Sequence, residues 1–575
     1  MPGRARPAAE PVTEIPSTEP TGAPWSRAPL AGRWLRRPSL SLDSLGPAVA
    51  RLDLDRRLYG IGVAACTAAV AVFLLAQLSA WPPHEDEALA LFVGRESLGG
   101  LFEVVLGNRG GAPLHFVLAW LVAHAGGGLT GLRLVSAFFA VASVPVIAAL
   151  CARLGDRVIS LVATAIVSAS WAMLFHGIYG RMYSLFLCSS ALSFLALLRA
   201  LERGGRRAWL LWALAILATI ATHPYGALVL AAQGLYVLLV RTRLREACLA
   251  FGAVLVAGTP FWRSDLVLAG RFEVGVGGGG EKLGGPLSVL RYLGQVAGDF
   301  SAGYPLVLTA VLAVSALGLW YLRRERPRSA LLVGSVFGVP TLAFLVARLG
   351  SSTSPESRHL IFALPFFGLL LGVGLVRLAR RTPRGLGPLV ALAGVAVLVP
   401  AEVSWGWHKT PPLFTGEPWI KLETRAAASD WLARTSRPDD VLFGYDPLFL
   451  GAWERSDRFP HTVVPRADPR LALKTLRALD RPLGRGVWVF DRDDSNNWFR
   501  RLYVPLRAPK PASEYETAAY GPFLIIRTRE RTLTPRGYLE RARRVMLVGK
   551  DLYIGDADIN FLTVVRALER LDAGG

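Results

Sequence analysis

Eleven near-continuous apolar runs lie between Leu58 and Ala401, and they restrict the chain more than any other feature. The runs cover residues 58–80, 134–151, 158–175, 182–200, 208–222, 225–240, 247–262, 303–322, 329–347, 360–376 and 386–401. Runs of that length suit a hydrocarbon layer, where backbone polar groups must be satisfied within the segment, and a helix does that. Hydrophobic residues make up 52% of the chain. The fold class is therefore mainly α, a polytopic membrane protein of about eleven transmembrane helices plus interfacial helices.

The formal net charge of +21 could suggest a nucleic-acid binder, but the arginines sit in short clusters between apolar runs. That is how a membrane protein marks its cytoplasmic side, so no nucleic-acid partner is expected. Arg153/Arg157, Arg203/Arg206/Arg207, Arg241/Arg243/Arg245, Arg323/Arg324/Arg326/Arg328 and Arg377/Arg380/Arg381/Arg384 all fall on one side if residues 112–125 do not span. That stretch is only about 14 residues long, below the ~20 a spanning helix needs. The rule then sets a cytoplasmic N-terminus and an extracytoplasmic C-terminal region in a cell inner (plasma) membrane. Cys66, Cys151, Cys188 and Cys248 lie within or at the ends of apolar segments without metal-ligand spacing, so neither a disulfide framework nor cysteine chemistry is expected.

Three regions follow. Residues 1–57 are rich in Pro, Ala, Glu and Arg and predict a disordered cytoplasmic tail. Residues 58–404 form the membrane domain. Residues 405–575 predict a small extracytoplasmic α/β domain, with strands at 441–445, 487–490 and 523–526 and helices at 426–435, 471–479 and 538–545. No catalytic constellation is legible in this last region.

The chemistry gathers on the outer face. Trp81 to Glu87 reads W-P-P-H-E-D-E directly after the first run. Charges so near hydrocarbon are costly unless they face a polar cavity or a ligand. Glu85, Asp86 and Glu87 share that face with the turn Tyr179-Gly180-Arg181-Met182-Tyr183, with His223, and with Glu356-Ser357-Arg358-His359. Two amphipathic segments, 88–93 and 98–106, suit interfacial helices that would cover the acids. Each feature has a plainer reading: a solvated loop for the acids, a snorkelling arginine among interfacial tyrosines for Arg181, a capped hairpin for His223. Their convergence favours a site for an anionic ligand and proton transfer. Two other motifs carry nothing. The glycine run 275–280 matches G-x-G-x-x-G but neither follows a strand nor opens a helix. The acidic run 491–495 lacks the glycine and terminal glutamate of a calcium loop.

Asp86-Glu87, Ala112-Pro113-Leu114-His115, Leu132-Arg133-Leu134, Gly180-Arg181-Met182-Tyr183 and Arg358-His359 ahead of Pro365 occur in that order. Together they resemble the GT-C membrane glycosyltransferases, in particular the RgtA/B/C/D-like group related to glycosyltransferase family 39 and the dolichyl-phosphate-mannose protein mannosyltransferases. The resemblance covers about residues 58–405. The chain departs from it at Gly180, where the family usually has Glu, and at Gly111-Ala112-Pro113, where it usually has His-Pro-Pro.

The resemblance implies an inverting hexosyl- or pentosyltransferase of the cell envelope, acting in lipopolysaccharide or glycan biosynthesis. It would use a polyprenyl-phosphate sugar donor, a glycan, lipid or protein acceptor, and a surrounding lipid membrane. Asp86 and Glu87 would be catalytic, with Asp86 orienting or deprotonating the acceptor hydroxyl. Arg181, Arg358 and His359 would hold the donor phosphate. Glu85, His115, Tyr183 and His223 would contact substrate. Some members hold a divalent metal at the first-loop acids, here Asp86, but a phosphate leaving group paired with arginines does not require one. Two other readings fit a lipid-linked ligand: a transporter or flippase, and a non-catalytic binder.

Overall fold

The computed structural model describes residues 54–269, 285–347, 356–382, 386–466, 468–479, 483–491, 514–531, 534–551 and 557–573. The N-terminal tail up to residue 53, the glycine run 275–280 and the acidic run from residue 492 lie outside the described residues.

The chain runs through α1 (Arg56–Ala76), α2 (Glu85–Gly94), α3 (Leu98–Phe102), a π-helical turn Glu103–Arg109 and α4 (Pro113–His124). The membrane helices continue as α5 (Gly128–Leu154), α6 (Arg157–Ala169), α7 (Trp171–Ile178), α8 (Tyr183–Arg203), α9 (Arg206–Thr222), α10 (Gly226–Val240), α11 (Leu244–Ala257) and α12 (Thr259–Ala269). After these come α13 (Pro286–Phe300), α14 (Pro305–Glu325), α15 (Pro327–Ala347), a 3-10 turn Ser357–Ala363, α16 (Leu364–Arg381) and α17 (Gly387–Lys409).

All eleven apolar runs are helical, but not all are plain spans. Among the described residues, seven helical stretches are long and apolar enough to cross: α1, α5, α8, α14, α15, α16 with its 3-10 turn, and α17. Residues 158–175 and 247–262, expected as single helices, are bent pairs: α6 meets α7 at 54° and α11 meets α12 at 56°. Ser170 breaks the first pair. It adopts extended backbone (ψ 142) and its hydroxyl accepts from the Met173 N–H, starting a new helix. At the second bend Pro260 offers no N–H to continue α11. Counting each pair as one span gives nine. α9 and α10 are 17 and 15 residues long, short for a bilayer crossing.

α8 and the α16 stretch form the centre of the bundle, with 83% and 94% of their apolar windows buried, against 11% for α1 and 22% for α17. The outer helices turn Leu58, Ile61, Val72, Leu306 and Leu389 outward, as a lipid-facing belt requires. α14 packs on α16 almost backbone to backbone. A Cβ at Gly318 would lie 2.0 Å from the Leu370 carbonyl oxygen, and one at Gly374 2.3 Å from that of Val314. Only glycine permits so close an approach.

Beyond α18 (Pro412–Thr415), α19 (Trp419–Thr435) leads into a sheet of β1 (Val441–Phe443), β2 (Thr462–Val464), β3 (Gly486–Asp491), β4 (Tyr515–Tyr520) and β5 (Phe523–Thr528). The order is β2-β1-β3-β5-β4. β1 pairs parallel with β2 and β3, while β5 pairs antiparallel with β3 and β4. α20 (Pro447–Arg455) and α21 (Pro469–Arg477) connect strands, and α22 (Pro535–Asp551) and α23 (Ala557–Asp572) close the chain. β2, β4, α20 and α23 are additions to the expected elements, since strands of three residues and a half-buried edge carry little periodic signal.

Period-two alternation sorts this sheet's two faces. Trp488, Phe490, Leu524 and Ile526 pack in one cluster with Leu473 of α21 and with Leu539 and Val564 of α22 and α23. Val487, Val489, Phe523 and Ile525 pack in one cluster with Leu448 and Trp453 of α20 and with Leu89, Leu91 and Phe116 of α2 and α4. The α/β region therefore shares a core with the interfacial helices. Its expected boundary at 405 falls inside α17, which continues to Lys409.

Candidate functional site

The acid cluster is the first turn of α2 rather than a loop. His84 is its N-cap: the ring Nδ1 accepts from the Asp86 N–H at 3.1 Å, and the Glu87 carboxylate accepts from the His84 N–H at 3.0 Å. This reciprocal capping starts the helix immediately after Pro82-Pro83. The acids sit where helix N–H groups leave positive potential, which favours their charged form. Successive helical residues diverge by about 100°, so the three carboxylates point three ways. Each meets an arginine from a different part of the chain.

Glu87 faces inward and pairs with Arg133 of α5. Arg133 Nε and Nη2 donate to Oε1 and Oε2, both at 2.8 Å, and the side chains are 3% and 0% exposed. Arg133 also donates to the carbonyls of Leu78, Trp81 and Pro82. The Gly180 N–H donates to Glu87 Oε1 at 2.7 Å. A Cβ at Gly180 would lie 2.8 Å from that oxygen, so the missing side chain is what lets the α7–α8 turn approach Glu87. The expected pair of catalytic acids thus separates: Glu87 is a buried tie between α2, α5 and the turn before α8.

Asp86 is partly open, with 29% of its side chain exposed, and it faces the α7–α8 turn. Arg181 Nη1 lies 3.3 Å from Oδ1, and the Tyr179 hydroxyl donates to Oδ2 at 3.0 Å while lying 2.9 Å from His84 Nδ1. Burial works against the Asp86 charge, but Arg181, His84 and Arg358 outweigh it and hold the carboxyl well below its ordinary value. Glu85 turns toward the α/β region, where Arg466 grips it in a bidentate pair at 2.9 and 2.6 Å. Burial opposes its charge as well, and Arg466 wins, so its carboxyl is also lowered. An expected substrate contact is therefore already engaged.

Arg358 comes from the 3-10 turn before α16. Its guanidinium lies 5.2 Å from the Tyr183 ring and 6.0 Å from the Tyr179 ring and pairs with Glu356 at 2.6 Å. The turn is tethered from below: the Ser357 hydroxyl donates to Asp299 Oδ2 at 2.5 Å, and Lys409 Nζ lies 2.7 Å from Oδ1. His359 packs among Tyr183, Tyr225 and His223, with ring centres 5.9, 5.4 and 5.1 Å away. His223 ends α9, and its Nδ1 accepts from the Tyr225 N–H at 3.0 Å, so it caps the hairpin as well as stacking on the cluster. His115 on α4 is 4% exposed, and burial aided by the Arg181 charge pushes its imidazole down to about 3.

The structure thus brings Asp86, Arg181, Arg358, His359, Tyr183 and His223 together and leaves Glu85 and Glu87 as ties. Sequence reasoning missed the parts played by Tyr179, Arg133, Asp299, His176 and Arg466. Arg181 Nε, Arg358 Nε, His359 Nδ1, both ring nitrogens of His176 and His115 Nε2 are buried without a hydrogen-bond partner among the described residues. Buried donors rarely go unmatched, and a cluster of them beside an open carboxylate suits an oxyanion. A cation fits less well. Each acid already faces a guanidinium, and no group of three His, Cys, Asp or Glu side chains among the described residues converges as metal ligands.

The fold is that of the GT-C membrane glycosyltransferases. The chain is similar to ArnT from Cupriavidus metallidurans in the apo state, with a TM-score of 0.50 and 15% identity over 81% of this chain and 98% of that one. ArnT bound to undecaprenyl phosphate gives 0.49 and 14% over 81% and 97%. Arabinofuranosyltransferase AftD from Mycobacteria gives 0.40 and 16% over 83% of this chain and 40% of that one. No family model and no curated protein sequence matches the chain.

Proposed function

We propose that the protein is a membrane glycosyltransferase that moves a sugar from a polyprenyl-phosphate donor to an acceptor hydroxyl on the extracytoplasmic face. The observation that carries this is the open Asp86 carboxylate beside two arginines, Arg181 and Arg358, that keep unmatched donors. ArnT, whose fold the chain shares, has been captured with undecaprenyl phosphate. Cytosolic nucleotide sugars would not reach an outward site, whereas a lipid-linked sugar would.

In this reading Arg181, Arg358 and His359 bind the donor phosphate. A phosphate arriving at Arg181 competes with Asp86 for the guanidinium. The carboxylate loses part of its stabilisation and becomes a better proton acceptor as the donor seats. The acceptor oxygen then forms its bond to the anomeric carbon while the carbon–oxygen bond to phosphate breaks. The phosphate leaves with the electron pair, the acceptor proton passes to Asp86, and the anomeric centre inverts. Arg181 and Arg358 meet the charge that grows on the leaving phosphate, a contribution a pre-placed cation makes without reorganisation. Glu87 and Glu85 position the machinery.

Purified full-length protein should be incubated with a panel of hexosyl and pentosyl polyprenyl phosphates, with released lipid phosphate measured. Release with at least one donor supports the transferase. Saturable donor binding without release from any donor and acceptor pair would point to a non-catalytic binder, and donor crossing sealed vesicles intact to a flippase.

A further inference from the structure

A second polar cavity lies at the far ends of the helices that carry the site. α8 begins with Tyr183 in the site and ends at Arg203, about 30 Å away at 1.5 Å per residue. α5 leads likewise from Arg133 to Leu154, and α10 from Gly226 beside His223 to Val240. Between these ends and the start of α15 is a cavity of about 560 Å³, lined by Arg153, Tyr236, Thr242, Arg243, Arg328 and Ser329. Its volume falls within the ~300–1,000 Å³ of small-molecule sites.

Two of the three arginines are engaged by the protein. Arg153 pairs with Glu202. Arg243 donates to the Leu201 carbonyl at 3.1 Å and to Glu246 at 3.0 Å, closing the end of α8. The side chains of Tyr236, Thr242, Arg328 and Ser329 line the cavity without a hydrogen-bond partner among the described residues. Tyr236 is only 4% exposed as a residue, and its hydroxyl opens onto the cavity. Thr242 is held between Arg241 and Arg243, which adopt left-handed backbone with φ of 55° and 51°. Non-glycine residues in that region are strained, and such strain gathers at binding sites. Arg328 and Ser329 also lie in the first turn of α15, where unpaired N–H groups favour an anion.

We propose that this cavity binds a phosphate group, carried on a lipid headgroup or free, at the face of the bundle opposite the candidate transferase site. One guanidinium, three hydroxyls and a helix N-terminus offer donors from several directions, which a tetrahedral oxyanion can use and a flat carboxylate cannot. The single acid, Glu202, is already matched by Arg153, so the lining keeps a positive balance. The proposal stands apart from the transferase reading and does not depend on it.

The test titrates full-length protein in detergent with short-chain phosphatidylglycerol, phosphate-free diacylglycerol of the same chain length, and inorganic phosphate, following intrinsic fluorescence. Saturable phosphatidylglycerol binding is expected, weakened about tenfold or more by Arg328→Gln and about fivefold by Tyr236→Phe. Competition by inorganic phosphate would show that the free anion suffices, and its failure that the headgroup is required; both support the site. Equal binding of the two lipids, or parent affinity in both variants, overturns it. Tyr236→Phe removes one hydroxyl and no carbon, so it keeps the test decisive if Arg328→Gln lowers the yield of folded protein.

Discussion

Arg466 and Glu85 stand 381 positions apart, yet Nε and Nη2 of one meet the two carboxylate oxygens of the other at 2.9 and 2.6 Å. This pair fastens the α/β region to the first turn of the helix that carries Asp86. The shared apolar cluster beneath it, with the Phe92 ring of α2 centred 4.9 Å from that of Trp453 of α20, makes the attachment a packed interface. The C-terminal region is thus part of the wall of the site.

Arg466→Ala should loosen the first turn of α2, the turn that carries Asp86. The pair is partly open, at 10% and 31% exposure, so its loss should be moderate. We expect the transfer rate to fall about tenfold, the lower range for a charge-assisted bond, while donor-lipid binding holds. A drop in donor binding of the same size would place Arg466 in a general folding role.

Arg133→Leu should be far more severe, because it strands Glu87 in a site with no exposure. Breaking one side of a buried pair costs about 3–5 kcal/mol. The expected outcome is a large fall in the thermal midpoint of the purified protein. Glu87→Gln keeps the shape and accepting oxygen, so its folded fraction should retain transfer activity. Abolished activity in well-folded Glu87→Gln protein would restore Glu87 as a catalytic group.

These pairs show what the sequence carried and what it could not. The apolar runs made the membrane helices legible, because hydrophobic length is a one-dimensional property. The motif order made the fold and the converging Asp86, Arg181 and Arg358 legible. The partner of each acid was not. Glu85, Asp86 and Glu87 are adjacent in sequence but 100° apart on a helix, and that divergence is invisible until the N-cap at His84 is known. Arg466 and Asp299 lie in stretches with no motif, and only tertiary packing brings them in. The bends at Ser170 and Pro260 were hidden by unbroken hydrophobicity.

Acid titration should report the Asp86 pair with a definite sign. Its folded value is lowered, so its contribution to stability is fully present above the ordinary aspartate value of about 3.9 and is lost as pH falls through the lower folded value. The stability difference between parent and Asp86→Asn should stay flat from about pH 8 to about pH 5 and shrink only below about pH 4. A difference that shrinks between pH 7 and 5 would contradict the Arg181 pairing.

Membrane orientation is open to a direct test. Reporter fusions at Arg206, Arg326 and Arg381 should read cytoplasmic, and a fusion at Gly451 in α20 should read external, by the distribution of arginines along the chain. An external signal at Arg206 would invert the bundle and place the acid cluster on the cytosolic side, where lipid-linked donors lose their advantage over nucleotide sugars.

Asp86 itself provides the sharpest prediction. Its backbone is fixed by the capped first turn of α2, and its partly open carboxylate lies beside phosphate-suited donors. Asp86→Asn keeps volume and the Tyr179 hydrogen bond while removing basicity. Losing a general base typically costs about 10²–10⁴ in rate, so kcat should fall by that much with donor-lipid binding intact or improved, since Arg181 is freed. Arg181→Ala and Arg358→Ala should instead weaken donor binding as well as rate, and Arg207→Ala, remote from the acids, should change neither. Transfer rate and donor binding would be measured on the same folded preparations. Transfer at the parent rate in Asp86→Asn would end the catalytic assignment and leave the carboxylate as a partner that keeps Arg181 in place.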